Sequence, residues 1–298
     1  MKAHDHDGGL AADLEALLKM NTGRRQSLRM LFAGAASLPL MGCGGGASDV
    51  AAASTSATGT ATTPATTTGT GTGTSTTTTA TTGSCTAIPE ETGGPYPADG
   101  TNSNSGGVVN VLTQTGVVRS DIRSSFNGSS GTAAGVPLTI RLRILNANAS
   151  CGAVGNFAVY LWHCDREGRY SLYSSGVTNQ NYLRGVQEAD ADGNVTFTTI
   201  FPGCYDGRMP HVHFEVYQSL AKAASASNRI RTSQFTFPMA TLNEAYTASG
   251  YATSVSNLAR ISYATDNVFS DGYSLQLATM TGNVTDGYVA TLTLAVVA

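Results

Sequence analysis

The chain has 298 residues, 41% of them hydrophobic and only 12% charged, which is enough apolar content for one or two cored domains. Lys and Arg number 17 against 20 Asp and Glu, a net charge of −3, and no Lys/Arg-rich stretch occurs beyond the first 30 residues, which argues against a nucleic-acid partner. No apolar run reaches the roughly 18–20 residues that cross a bilayer, which argues against a polytopic membrane protein.

Residues 22–43 read TGRRQSLRMLFAGAASLPLMGC. Paired Arg24 and Arg25 with Arg29 following, an apolar stretch from Met30 and small residues before Cys43 make residues 1–43 an export signal, set aside before any fold reasoning. Residues 22–28 resemble a twin-arginine signal. Leu40-Met41-Gly42-Cys43 resembles a bacterial lipobox, which implies lipidation at Cys43 as the first residue of the mature protein. An ordinary cleaved signal is the alternative, because Met41 is not the usual residue at its place. The expected location is the periplasm or cell envelope, with membrane contact only through a lipid at Cys43. Residues 44–84 are almost wholly Thr, Ala, Gly and Ser, with Asp49 as the one charge. Such a segment cannot bury enough apolar surface to offset its ordering entropy, so it reads as a disordered tether with a reach of about 35 Å.

The folded part is then 85–298, and its patterning is all-β. Residues 136–145 (VPLTIRLRIL) alternate, with Leu138, Ile140, Leu142 and Ile144 on one face and Arg141 and Arg143 on the other. Further strands are expected at 157–163, 195–201, 212–217, 273–278 and 288–297, separated by turns such as Asp192-Gly193-Asn194 and Asp271-Gly272. Two short helices are expected, at 219–226 and 242–248. Short strands at this spacing point to an antiparallel-rich sandwich or barrel.

Four cysteines fall in this part: Cys85, Cys151, Cys164 and Cys204. In an exported protein an even number favours disulfides, with three connectivities open; a thiolate metal site is disfavoured because no C-x-x-C pair occurs. Of the three histidines beyond the leader, His211 and His213 stand at i and i+2, on one face of a strand, where they can converge on one ion. Two hydrogen-bonded strand histidines would give the same pattern. Their neighbourhood adds detail: Phe201-Pro202-Gly203-Cys204-Tyr205-Asp206-Gly207-Arg208-Met209-Pro210 directly upstream, and Trp162-His163-Cys164-Asp165-Arg166-Glu167-Gly168-Arg169-Tyr170 before it.

In these segments the sequence resembles the intradiol ring-cleavage dioxygenases, the catechol and protocatechuate 3,4-dioxygenase group, and above all their exported bacterial relatives. The pattern is W-x-x-(D/N)-x-x-G-x-Y, then P-G-x-Y, then an Arg three residues before H-x-H, and all pieces occur here in order. Thr92-Gly93-Gly94-Pro95-Tyr96, Arg119-Ser120-Asp121-Ile122-Arg123, Leu183-Arg184-Gly185 and Thr232-Ser233-Gln234-Phe235-Thr236-Phe237-Pro238 are further matches, so the likeness covers nearly all of 86–298. It implies a β-sandwich of the intradiol dioxygenase type in which Tyr170, Tyr205, His211 and His213 hold a non-haem Fe(III). Phenolate is a hard, anionic donor suited to that ion, and two phenolates plus one hydroxide cancel its charge, so the site can be buried. The resemblance further implies a catechol-type diol and O2 as substrates, displacement of Tyr205 when the diol binds, and a muconate-type diacid as product. Arg208 would stabilise the anionic ring, Gln234 would support it, and Tyr96 would line the substrate pocket.

Structural roles compete for each residue: packing for Tyr170 and Tyr205, a surface ion pair for Arg208, and a strand-edge hydrogen bond for Gln234. Trp162 and His163 are expected to support the fold. Cys204 and Met209 depart from the usual pattern, and a disulfide at Cys204 would restrain the Tyr205 loop. The helical N-terminal region that classical catechol 1,2-dioxygenases use to dimerise is replaced by the tether, and the oligomeric state stays open. A non-catalytic, surface-anchored β-sandwich module binding a polyphenol or carbohydrate in the same groove is the alternative function.

Overall fold

The computed structural model describes residues 85–298; the export signal, the tether and Cys43 lie outside the described residues. The first elements are a hairpin of β1 (Asp99–Asn104) and β2 (Gly107–Asn110), followed by β3 (Pro137–Asn146) and a two-residue β4 (Gly152–Ala153). Then come β5 (Ala158–Trp162), β6 (Arg184–Glu188), β7 (Asn194–Ile200), β8 (His211–Tyr217) and β9 (Arg229–Thr236). Two helices, α1 (Met239–Ala245) and α2 (Ala252–Leu258), precede β10 (Thr279–Asn283) and β11 (Gly287–Val296).

One sheet runs β10-β11-β3 with β7 on the other side of β3, and β4 extends the end of β3; the second runs β6-β5-β8-β9. Between them lies the main core. Leu138, Ile140, Leu142 and Ile144 of β3 meet Val159 and Leu161 of β5 and Val212, Phe214 and Val216 of β8 there. The alternation expected in β3 is therefore the alternation found, with Arg141 and Arg143 facing outward. Every β8 residue is buried, because the second sheet is covered on both faces. Its outer face carries Ala158, Tyr160, Trp162, Val186 and Tyr217, packed beneath Ala98, Val111, Leu112, Val117 and Tyr170 from the covering loops.

Several expectations shift in detail. The strand expected at 273–278 begins only at Thr279, because a turn closed by the Gln276 N–H on the Tyr273 carbonyl occupies its place. The helix expected at 219–226 breaks at the extended Ser225 into two single 3-10 turns. In contrast, α2 lies in the Ser/Thr-rich run ATSVSNL, whose pattern gives no helical signal. Among the named strands one pairing, β11 with β3, is parallel; it joins the β10–β11 hairpin to the antiparallel β3–β7 pair within the first sheet. Of the open cysteine connectivities, Cys85 pairs with Cys151 across a separation of 66 residues, and Cys164 and Cys204 are buried thiols. No disulfide therefore restrains the Tyr205 loop. That loop is held by α2 instead, with the Cys204 N–H donating to Ser254 Oγ (2.9 Å) and Asn257 Nδ2 donating to the Cys204 carbonyl (2.7 Å).

Candidate metal centre

Cross-strand register puts Arg184 of β6, Trp162 of β5, His213 of β8 and Gln234 of β9 in one row on the outer face of the second sheet. His211 lies two residues before His213 on the same face. The Trp162 and His213 rings stack nearly parallel, 2° between planes and 4.9 Å between centroids. Over His213 passes the Thr92-Gly93-Gly94 segment, with Gly94 in the left-handed region at φ 68° and the position of its missing Cβ 3.4 Å from His213 Cε1.

The two tyrosines come from loops that fit into each other through glycines. After β5 the chain turns about Asp165, whose Oδ1 accepts the Glu167 and Arg169 N–H groups (3.0 and 2.9 Å), and this turn delivers Tyr170. Gly168, at φ 84°, has the place of a Cβ 2.9 Å from Tyr205 Cβ, and that of Gly203 is 2.6 Å from the Arg166 carbonyl oxygen. Any side chain at either position would push the two loops apart. The D, G and second G of the two motifs are thus the residues that let Tyr170 and Tyr205 approach one point.

At that point four donor atoms meet. His211 Nε2 is 3.0 Å from His213 Nε2, 3.3 Å from Tyr170 Oη and 3.4 Å from Tyr205 Oη. His211 Nδ1–H donates to the Met209 carbonyl (2.6 Å), which leaves its Nε2 lone pair facing the other three. Burial above all, then the Arg208 charge, holds the His211 pKa well below the usual range; for His213 burial comes first, then His211 and Arg208. Both imidazoles are therefore neutral. Burial, then the neighbouring Tyr205, holds the Tyr170 phenol well above its ordinary pKa, so without a cation it stays protonated.

This donor set fits a metal ion. Separations of 3.0–3.4 Å are the edges expected between ligands whose bonds to one first-row ion are about 2.1 Å long. Among the described residues no group of three or more His, Cys, Asp or Glu side chains could hold a metal, so an ion here depends on the tyrosines, hard oxygen donors that favour a hard, highly charged ion.

Arg208 is buried rather than paired at the surface. Its Nε donates to Asp266 Oδ2 (3.0 Å) and its Nη2 to Gln234 Oε1 (2.7 Å). Gln234 is fully buried and spans from Arg208 to the Thr92 carbonyl (2.8 Å), a bridging role rather than a strand-edge one. The Tyr96 ring packs against Tyr170 and Tyr173, with centroids 5.0 and 5.2 Å apart. His163 is buried behind the site, bonded to Thr199 Oγ1 and the Cys164 carbonyl. Asp266 was not apparent from sequence: it stands alone in a polar loop with no motif around it.

Comparison with known proteins gives one family match, to the model described as "Dioxygenase", over residues 116–233. Among solved structures the chain is similar to an intradiol ring-cleavage dioxygenase from Tetranychus urticae, at 24% identity over 61% of this chain and 87% of that one, with a TM-score of 0.51. It is also similar to the dioxygenase domain of a dioxygenase and carbohydrate-binding fusion from the cellulolytic bacterium Streptomyces sp. SirexAA-E, at 23% identity over 72% of this chain and all of that one, with a TM-score of 0.44. No curated protein matches in sequence. The family match and the first of these folds bear out the resemblance to the intradiol ring-cleavage dioxygenases and the β-sandwich it implies.

Proposed function

We propose that this chain, a β-sandwich of the intradiol dioxygenase type, cleaves the ring of a catechol-type diol between its two hydroxyl-bearing carbons with O2, giving a muconate-type diacid. The observation that carries the reading is the convergence of two neutral imidazoles and two phenols on one point. Tyr170, Tyr205, His211 and His213 would hold a non-haem Fe(III). When bound, that ion supplies the positive charge that ionises the diol and makes its ring reactive toward O2.

The remaining work falls to the protein. Tyr170 is buried to 2% exposure, whereas Tyr205 is only partly buried. Tyr205 is thus the phenol placed at the entrance; as the phenolate it would be when holding the ion, its Oη would take up one hydroxyl proton of the incoming diol and become a neutral phenol. Arg208 presents a fixed guanidinium to the anionic ring oxygen, electrostatic stabilisation that needs no rearrangement when charge develops. The Tyr96 ring, tilted against Tyr170, offers the diol an aromatic wall. Export to the cell envelope with an anchor at Cys43 belongs to the same proposal, and the Cys85–Cys151 disulfide supports an oxidising compartment.

The test is to load the purified protein with iron and measure oxygen uptake over a panel of catechols, among them catechol, protocatechuate and hydroxyquinol. A burgundy tyrosinate charge-transfer colour, uptake with at least one diol and formation of a diacid are expected. A colourless protein that binds a polyphenol without consuming oxygen would replace this reading with the binding-module one.

A further inference from the structure

We infer that Asp266 is a positioning residue acting through Arg208; its kinetic consequence rests on the ring-cleavage reading above, whereas its grip on Arg208 does not. The Asp266 carboxylate is fully buried and lies in the loop after α2, outside every motif of the site. It accepts four N–H groups. Oδ2 takes Arg208 Nε (3.0 Å) and the backbone N–H of Met209 (2.7 Å), and Oδ1 takes the backbone N–H groups of Val268 (2.8 Å) and Phe269 (3.1 Å). A carboxylate has about four lone-pair sites, so this one is saturated.

The consequence is geometric. Oδ2 grips the Arg208 side chain and the next backbone N–H together, so the guanidinium is fixed relative to the segment that leads into His211. Met209 is also the residue whose carbonyl holds His211 Nδ1. At the other end of the fork Gln234 takes Nη2 and is itself anchored on the Thr92 carbonyl. Two of the five guanidinium N–H bonds are thus committed to orientation. Asp266 also cancels the Arg208 charge while the site is empty of substrate, which is what permits a guanidinium to sit there nearly dry.

No near-isostere can replace it. Asparagine has one oxygen, so Asp266→Asn must turn its NH2 toward two N–H donors, either those of Arg208 and Met209 or those of Val268 and Phe269. The experiment is a double-mutant cycle of Asp266→Asn, Arg208→Met and both together. In the metal-free proteins, urea midpoints are expected to be non-additive, the second substitution costing much less once the first is made. In the iron-loaded proteins, at equal iron content and with the diol consumed fastest, Asp266→Asn is expected to lower kcat by about tenfold or more with KM changed less than about threefold, since an interaction of the transition state is misplaced. In the Arg208→Met background the same substitution is expected to change kcat by less than about twofold.

Equal kcat factors in both backgrounds, or additive midpoints, would overturn the inference and leave Asp266 a general fold residue. If Asp266→Asn alone gives no folded protein, recovery of folded protein in the double variant counts as the coupling and failure of both overturns it. If the parent consumes no catechol, the ring-cleavage reading falls, and the metal-free cycle still decides whether Asp266 holds Arg208.

Discussion

Tyr170 illustrates how a residue's ordinary chemistry is suspended by its place. Its phenol is buried and, without a cation, held protonated, so the energetic return for ionising it comes only when an ion of high charge is bound. Removing the phenolate leaves that charge under-neutralised, and removing the imidazole takes away one of the four donor atoms. Iron affinity is expected to fall at least roughly 10–100-fold in Tyr170→Phe and in His213→Ala, measured as metal content after dialysis against a chelator, with about one iron per chain in the parent. Full retention in both variants would remove the metal assignment. His163 makes a pH prediction of a different kind. Burial above all pulls its pKa down to about 4, against a hydrogen bond to the Cys164 carbonyl that raises it. The unfolded chain takes up this proton near pH 6.5 and the folded chain only near 4, so stability is lost as pH falls through that window, by up to about 3 kcal/mol. The metal-free parent should lose urea resistance between pH 7 and pH 4 more steeply than His163→Gln. His211 and His213 contribute equally to both proteins, so parallel curves would mean His163 is not the group responsible.

Among the elements, the two glycine-fitted loops matter most. In Gly168→Ala a methyl group would sit 2.9 Å from Tyr205 Cβ on a backbone at φ 84°, a strain of about 1–3 kcal/mol. Weakened iron binding is expected along with a lower melting temperature, because the substituent pushes on a ligand's own backbone; a stability loss with unchanged iron affinity would show that the loops hold the site independently of each other. This part of the molecule was legible in the sequence, since D, G and P-G stand at fixed offsets from the tyrosines and each has a local conformational reason. The strands β3 and β8 were legible for a similar reason, since period-2 patterning is written in their side chains, whereas β5, buried on both faces, reads as a short apolar run. Helix α2 was not, because Ser254 and Asn257 serve the Cys204 backbone rather than an apolar stripe. Asp266 was not, because its four donors come from positions 208, 209, 268 and 269, which only the fold brings together. The strand placed at 273–278 failed because the alternation in YSLQLA carries no signal separating a strand from a turn packed by Tyr273 stacking on Tyr263.

The whole molecule is closed by long-range links. The Cys85–Cys151 bond spans 66 residues, and in the chain-entropy view such a loop contributes about 4 kcal/mol. Cys85→Ser with Cys151→Ser should lower the unfolding free energy by an amount of that order in urea titration, and an unchanged midpoint would mean that the N-terminal segment is held by its bonds to β11 and β9, where the Ile88 N–H donates to the Ala295 carbonyl and the Glu91 N–H to the Thr232 carbonyl. The parallel β3–β11 pair has a further consequence, one of timing. It sets Leu138 beside Tyr288, so during synthesis β3 has only β7 beside it until about 150 more residues have left the ribosome and β11 exists, and a closure of that span is slow to find. The sheet that carries the two histidines has no such wait, since β5, β6, β8 and β9 all fall between Ala158 and Thr236. On a nascent chain the half of the sandwich that gathers the candidate ligands is therefore complete first, while the half that seals the core stays open. Pulse-labelled hydrogen exchange during refolding should find β8 and β9 amides protected before those of the β3–β11 ladder.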